Sequence, residues 1–253
     1  MSAMAEMAKQ IVAENGYSDR VTILRGKMEE IELPVDKVDI IISEWMGYFL
    51  LYESMLDTVI WARDRYLTPD GLMFPDTATL YMAAIEDGEY KSDKIDWWQD
   101  VYGFDMSCIG KTALLEPLVD IVDQNQICTS TCLLKSFNIK TMTKEDATFT
   151  APYTLTMQRN DFIHALVAHF DVSFNDCHKT TGFSTGPRAR PTHWKQTIFY
   201  LEETVVGHDG EVMSGEVACR PNEKNARDLD IEIAYELSGK RGQWKNSQHY
   251  KMR

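Results

Sequence analysis

Two glutamates, Glu44 and Glu53, bracket the run SEWMGYFLLYES at residues 43–54, with Gly47 between them. Two carboxylates brought together repel, and one of them keeps its proton unless a cation lies between. The cation that suits two carboxylates is a guanidinium, which is planar, permanently charged and carries five N–H donors in a fixed fork. With that guest in place both acids stay ionised and accept charge-assisted hydrogen bonds. Gly47 lets the loop turn back sharply, so the two carboxylates can be aimed at one point. Glu53 also stands just ahead of a helical stretch, where a carboxylate favours the helix dipole. Spacing alone leaves both readings open.

The elements that must position this loop are legible around it. Residues 38–42 are apolar almost throughout, as in a strand buried on both faces of a parallel sheet. The loop follows the carboxyl end of that strand, where open α/β sheets bind their ligands. A helix is predicted from Ser54 to Tyr66 with Met55, Val59, Ala62 and Tyr66 on its apolar face, closed by the turn Thr68-Pro69-Asp70-Gly71. Upstream, Met4, Met7, Ala8, Ile11 and Val12 recur at helical spacing before an Asn15-Gly16 stop, and a short strand is predicted at 21–24. Helix, strand, strand, helix is the order of the second half of an open α/β sheet.

Past Pro75 the pattern changes, and a domain boundary is placed there, giving units of 1–75 and 76–253. Residues 77–85, 147–158, 162–174, 196–201, 212–219 and 228–237 are rich in β-branched and aromatic residues, with turn residues between them. Many strands at short spacing predict a barrel or sandwich. Residues 86–122 fit neither half. They begin charged and then carry Trp97, Trp98, Tyr102, Phe104 and Met106, the composition of an interface core or of a helical insert packed on its own barrel.

The formal net charge of −13 argues against nucleic acid as the main partner; it suits attraction to cationic partners, and equally solubility alone. Five cysteines, an odd number with no CxxC spacing, predict free thiols rather than a disulfide scaffold or a structural zinc site. No apolar run reaches membrane-spanning length, and residues 1–14 lack the apolar stretch of a signal peptide. No sorting signal is evident, which leaves nucleus and cytoplasm both open.

The run SEWMGYFLLYES resembles the double-glutamate loop of type I protein arginine methyltransferases. Further strings follow in that family's order: KMEEIELPVDKVDIIISEWMGY at residues 27–48, WWQDVYGFDMSCI at 97–109, FSTGP at 183–187, THWKQT at 192–197 and the terminal YKMR. The resemblance covers essentially the whole chain. It implies a Rossmann-like S-adenosylmethionine-binding sheet followed by a β-barrel with a helical dimerisation arm at about residues 88–122.

By the same resemblance, Glu44 and Glu53 grip the substrate guanidinium, while Tyr52 and Trp194 wall the acceptor cavity. His193 helps the proton leave or pairs with the glutamate loop. Met28 and Glu29 contact the adenine, Glu29 accepting from its exocyclic amine. Glu44 and Met55 lie where donor and acceptor meet. The methyl donor is S-adenosylmethionine, without a metal. The products are mono- and asymmetric dimethylarginine on histones and Arg/Gly-rich proteins, and the arm makes a homodimer.

The family's glycine-rich turn, and the acid that ends its second strand, have no counterpart in this sequence, and Ser2-Ala3-Met4 resembles the text just after that acid. Weak donor binding by the chain and an exposed edge at 38–42 are the corresponding expectations. A catalytically inactive chain that acts as a dimerisation partner is the alternative to an enzyme. A small-molecule methyltransferase is disfavoured by the paired Glu44 and Glu53.

Overall fold

The structure is a computed structural model and describes residues 3–253; Met1 and Ser2, and the reading made of Ser2, lie outside it. Helix α1, Met4–Glu14, forms as the spacing predicts and ends at Asn15, with Gly16 at φ +72°. Its apolar stripe of Met4, Met7 and Ile11 is exposed. Residues 21–24 form no strand. They pair with no neighbouring segment among the described residues, and Val21 and Leu24 are exposed.

Strand β1, Val38–Ile42, helix α2, Met55–Tyr66, and strand β2, Leu67–Phe74, make one parallel crossover unit. β1 is not buried on both faces. Among the described residues its only ladder partner is β2, and Ile42 is 77% exposed. Helix α2 buries Leu56, Val59, Ile60, Ala62 and Tyr66, but Met55 is exposed, so the buried face is rotated from the predicted one. The turn Thr68-Pro69-Asp70-Gly71 falls inside β2, where Val38 pairs with Leu67 but Ile40 with Leu72. The extra residues bulge out of the ladder.

The remaining chain builds two antiparallel sheets. In chain order come β3 (Thr77–Ile85), α3 (Gly88–Lys94), α4 (Ser107–Leu115), β4 (Leu118–Asp120), β5 (Cys132–Asn138), β6 (Phe149–Thr156), β7 (Asp161–Phe174) and β8 (Thr181–Ser184). They are followed by β9 (Gln196–Gly207), β10 (Val212–Pro221), β11 (Leu229–Gly239) and β12 (Gly242–Met252). One sheet runs β4-β9-β7-β3-β5 with β8 on β7, the other β12-β11-β10-β6. Strict alternation buries Phe149, Ala151, Tyr153 and Leu155 of β6 and Leu229, Ile231, Ile233, Tyr235 and Leu237 of β11. These side chains meet Leu80, Met82, Leu166, Phe170 and Phe199 of the larger sheet in one core. The arrangement is barrel-like. No ladder joins the two sheets among the described residues, so it is not a closed barrel, although a single bridge at Thr129–Met157 lies between them. All five cysteines are free thiols.

Residues 86–122 hold α3, a 3-10 turn at Asp96–Gln99 and α4. Tyr102 and Gly103 adopt φ +54° and +86°, and Asp100 Oδ1 accepts from Gly103 N at 2.8 Å. This tight turn carries Tyr102, 93% exposed, with Phe104 also exposed.

Candidate active site

Residues 43–54 leave β1 and fold back on themselves inside the shared core. Trp45, Met46, Phe49, Leu50 and Leu51 are buried there, and Phe49 meets Phe199 edge-on at 5.4 Å. Gly47 N donates to Leu50 O at 2.9 Å and Tyr52 N to Tyr48 O at 3.1 Å. Any Cβ at Gly47 would lie 1.9 Å from Tyr52 O, so the glycine is required by close approach of two backbones. Four non-glycine residues, Phe49, Leu50, Glu53 and Ser54, hold positive φ between 49° and 76°. Each such conformation costs roughly 1–2 kcal/mol, which burial of Phe49, Leu50 and Leu51 helps to offset.

This anchoring leaves both glutamates exposed at the two ends of a buried hairpin. They are held unequally. Glu53 N donates to Arg227 O at 2.8 Å, and Arg227 Nη2 donates to Glu53 Oε1 at 3.2 Å. Glu44 makes no hydrogen bond or ion pair among the described residues. Tyr48 and Tyr52 stack at 6.3 Å. Together with Glu116, Met252 and Arg253 they border a cavity of about 340 Å³. Tyr52 therefore stands at a recess beside the loop rather than deep in the core.

Trp194 ties the distant 192–197 segment to this loop. Its indole N–H donates to Met46 O at 2.8 Å, and the ring stacks on Phe183 at 5.4 Å and meets Phe170 edge-on at 5.8 Å. Trp194 thus braces the back of the glutamate hairpin. His193 is exposed, its ring 3.8 Å from that of Trp194. It forms no ion pair with either glutamate.

On α2, Thr58 Oγ1 donates to Glu29 Oε1 at 2.6 Å. This hydrogen bond, with one from the backbone, holds the Glu29 carboxyl below its ordinary range. Met28 beside it is half-buried, and Met55 at the start of α2 is exposed. Arg227 sits in the irregular 222–228 connection between β10 and β11, and an arginine in a polar turn carries no spacing signal in the sequence. The donor role of the Trp194 N–H is likewise unmarked by any motif, although a tryptophan near buried backbone is a natural donor.

Residues 76–240 match the family model for the arginine methyltransferase oligomerization subdomain. The chain is 63% identical over 252 residues to protein arginine N-methyltransferase 1 of Chlamydomonas reinhardtii, covering 100% of this chain and 73% of that protein. It is 60% identical to protein arginine N-methyltransferase 1.1 of Arabidopsis thaliana, covering 100% of this chain and 65% of that one. Among solved structures, it superposes on a chain of the Trypanosoma brucei PRMT1 enzyme-prozyme heterotetrameric complex with AdoHcy. The TM-score is 0.96 at 43% identity, over 100% of this chain and 80% of that one. Arabidopsis thaliana protein arginine methyltransferase 10, in an open conformation, gives a TM-score of 0.83 at 26% identity, over 99% and 80%. The chain belongs to the protein arginine N-methyltransferase family.

Proposed function

We propose that the chain transfers methyl groups from S-adenosylmethionine to guanidino nitrogens of protein arginines, with Glu44 and Glu53 as the acceptor pair. The observation that carries this reading is the hairpin at 43–54, whose buried centre sets two exposed carboxylates at its ends. A guanidinium spreads its positive charge over three nitrogens, which makes each a poor nucleophile. Two carboxylates hydrogen-bonded to one end draw the charge there and leave electron density on the remaining nitrogen. Fixing that nitrogen in line with the donor supplies much of the rate. Because the arginine pKa exceeds ~12, the proton leaves during or after transfer. His193, exposed beside Trp194, is its route to solvent.

The residues present fit the adenine end of the donor. The Glu29 carboxyl, already an acceptor for Thr58 Oγ1, would accept from the exocyclic amine, and half-buried Met28 would offer the apolar contact to the base. The bound donor supplies an electrophilic methyl on a sulfonium. Met55 and Glu44 are assigned to the junction between donor and acceptor. Residues up to 75 are assigned to the donor-binding part, which also carries the acceptor glutamates, and 76–253 to the barrel-like part that brings Trp194 to them. The acidic charge of the chain suits Arg/Gly-rich tails and histones. The exposed Tyr102–Phe104 turn is assigned as the contact through which two copies pair, which closes a two-fold ring.

The test is to incubate the chain with S-adenosylmethionine and an Arg/Gly-rich peptide and analyse the peptide by mass spectrometry. Mono- and asymmetric dimethylarginine are expected from the wild type and not from Glu53→Gln. Unmodified peptide from the wild type, or equal modification by both proteins, would overturn the assignment.

A further inference from the structure

The two glutamates differ in one respect that the acceptor reading does not explain. Glu53 is already in contact with a guanidinium of its own chain. Arg227 reaches it twice, through its carbonyl to Glu53 N at 2.8 Å and through Nη2 to Glu53 Oε1 at 3.2 Å. One residue thereby fixes both the backbone and the side chain of a glutamate whose φ of +76° few non-glycine residues adopt.

The support for Arg227 is itself well tied. Asn222 Oδ1 accepts from Lys224 N and Asn225 N at 3.0 and 3.1 Å, and its Nδ2 donates to Asp230. Asn225 Oδ1 accepts from Arg227 N at 3.3 Å, and Asn222 N donates to Asp228 O at 2.9 Å. This network stiffens an irregular connection that would otherwise be mobile, and it aims Arg227 at the hairpin. Arg227 takes Oε1 of Glu53, whereas Oε2 makes no hydrogen bond among the described residues. A carboxylate has lone pairs enough for two donors, one on each oxygen.

We propose that Arg227 is a positioning residue for the acceptor site: it pins one oxygen of Glu53 so that the other faces the incoming guanidinium. The proposal rests on Glu53 being an acceptor residue. It makes the β10–β11 connection part of the site although no sequence motif marks it.

The sign of one effect separates this role from simple charge. Arg227 is a cation beside a site for cations, so as a mere charge its removal should tighten peptide binding. As a positioning residue its removal should weaken binding.

The experiment measures equilibrium binding of a fluorescent Arg/Gly-rich peptide to the wild-type chain, Arg227→Ala, Arg227→Lys, Glu53→Gln and the double variant Arg227→Ala/Glu53→Gln. Arg227→Ala is expected to raise Kd by about threefold to fivefold, the most that an exposed ion pair of ~0–1 kcal/mol can return to binding. Arg227→Lys, which keeps the charge but loses the planar fork, is expected to fall between. In the Glu53→Gln background the Ala substitution should add nothing further.

Thermal midpoints should agree within about 3 °C, because an exposed ion pair is worth ~0–1 kcal/mol. A midpoint drop well beyond that would make Arg227 a residue of the fold and overturn the proposal. Unchanged or tighter binding in Arg227→Ala, or additive effects in the double variant, would also overturn it while leaving the acceptor reading standing. Absence of peptide binding by the wild type would instead sink the acceptor reading, and this proposal with it.

Discussion

The indole N–H of Trp194 donates to the carbonyl oxygen of Met46 at 2.8 Å, joining two segments 148 residues apart in the chain. One comes from the barrel-like part and the other from the loop that carries the glutamates. Trp194→Phe keeps most of the ring but leaves the Met46 carbonyl without that partner. It is expected to lower stability by about 1 kcal/mol, seen in chemical denaturation. It should lower methyl transfer by a larger factor than that loss explains, because the hairpin is then less rigidly placed.

Gly47 is a second point where the loop allows no latitude. A methyl group there would sit 1.9 Å from Tyr52 O, and the contact is to backbone, which cannot swing aside. Gly47→Ala should destabilise the chain by roughly 1–3 kcal/mol and abolish methyl transfer. A variant with wild-type activity and midpoint would show that the hairpin is not the rigid device described here.

Asp76 provides the pH dependence. Burial alone would raise its carboxyl pKa, but hydrogen bonds from Thr77, Asp176 and Asn175 together hold it below the ordinary range. A carboxyl with a folded pKa below its unfolded one stabilises the fold above the unfolded value. That contribution is lost as pH falls through the folded one. Stability should therefore fall on the acid side of about pH 4, and Asp76→Ala should cost about 2 kcal/mol near neutrality. Part of the acid-side slope should vanish in that variant. Denaturation curves at stepped pH read both quantities, and an unchanged slope would remove Asp76 from the explanation.

The exposed aromatic turn gives a prediction about assembly. Tyr102→Ser with Phe104→Ser removes the apolar tip without touching the barrel core. Sedimentation equilibrium should show a shift toward monomer, with the thermal midpoint of the monomer kept. Unaltered oligomeric mass would move the pairing surface elsewhere.

The parts of the fold legible in the sequence were those with a strong local period. Met4, Met7 and Ile11 announce α1. The alternation of Phe149, Tyr153 and Leu155 announces β6. β12 was missed because Asn246 and Gln248 stand on its inward face between Trp244 and the buried Tyr250 and Met252, which breaks the apolar alternation. The strand expected at 21–24 failed for the opposite reason: β-branched residues alone do not make a strand without a neighbour to pair with.

At the site, the glutamate loop and Trp194 were legible as text. Arg227 was not. Its contact with Glu53 spans 174 residues and depends on how an irregular connection packs, which no local pattern encodes. Met55 shows the limit of helical spacing, since the face that α2 buries is set by the core it meets.

The central claim is that Glu44 and Glu53 share one guanidinium. A crystal structure of the chain with an Arg/Gly-rich peptide at saturating concentration tests it directly. The account predicts one peptide guanidinium within hydrogen-bonding distance of both carboxylates, with Arg227 still on Oε1 of Glu53. A guanidinium bound by only one of the two glutamates, or a peptide seated elsewhere on the surface, would contradict it.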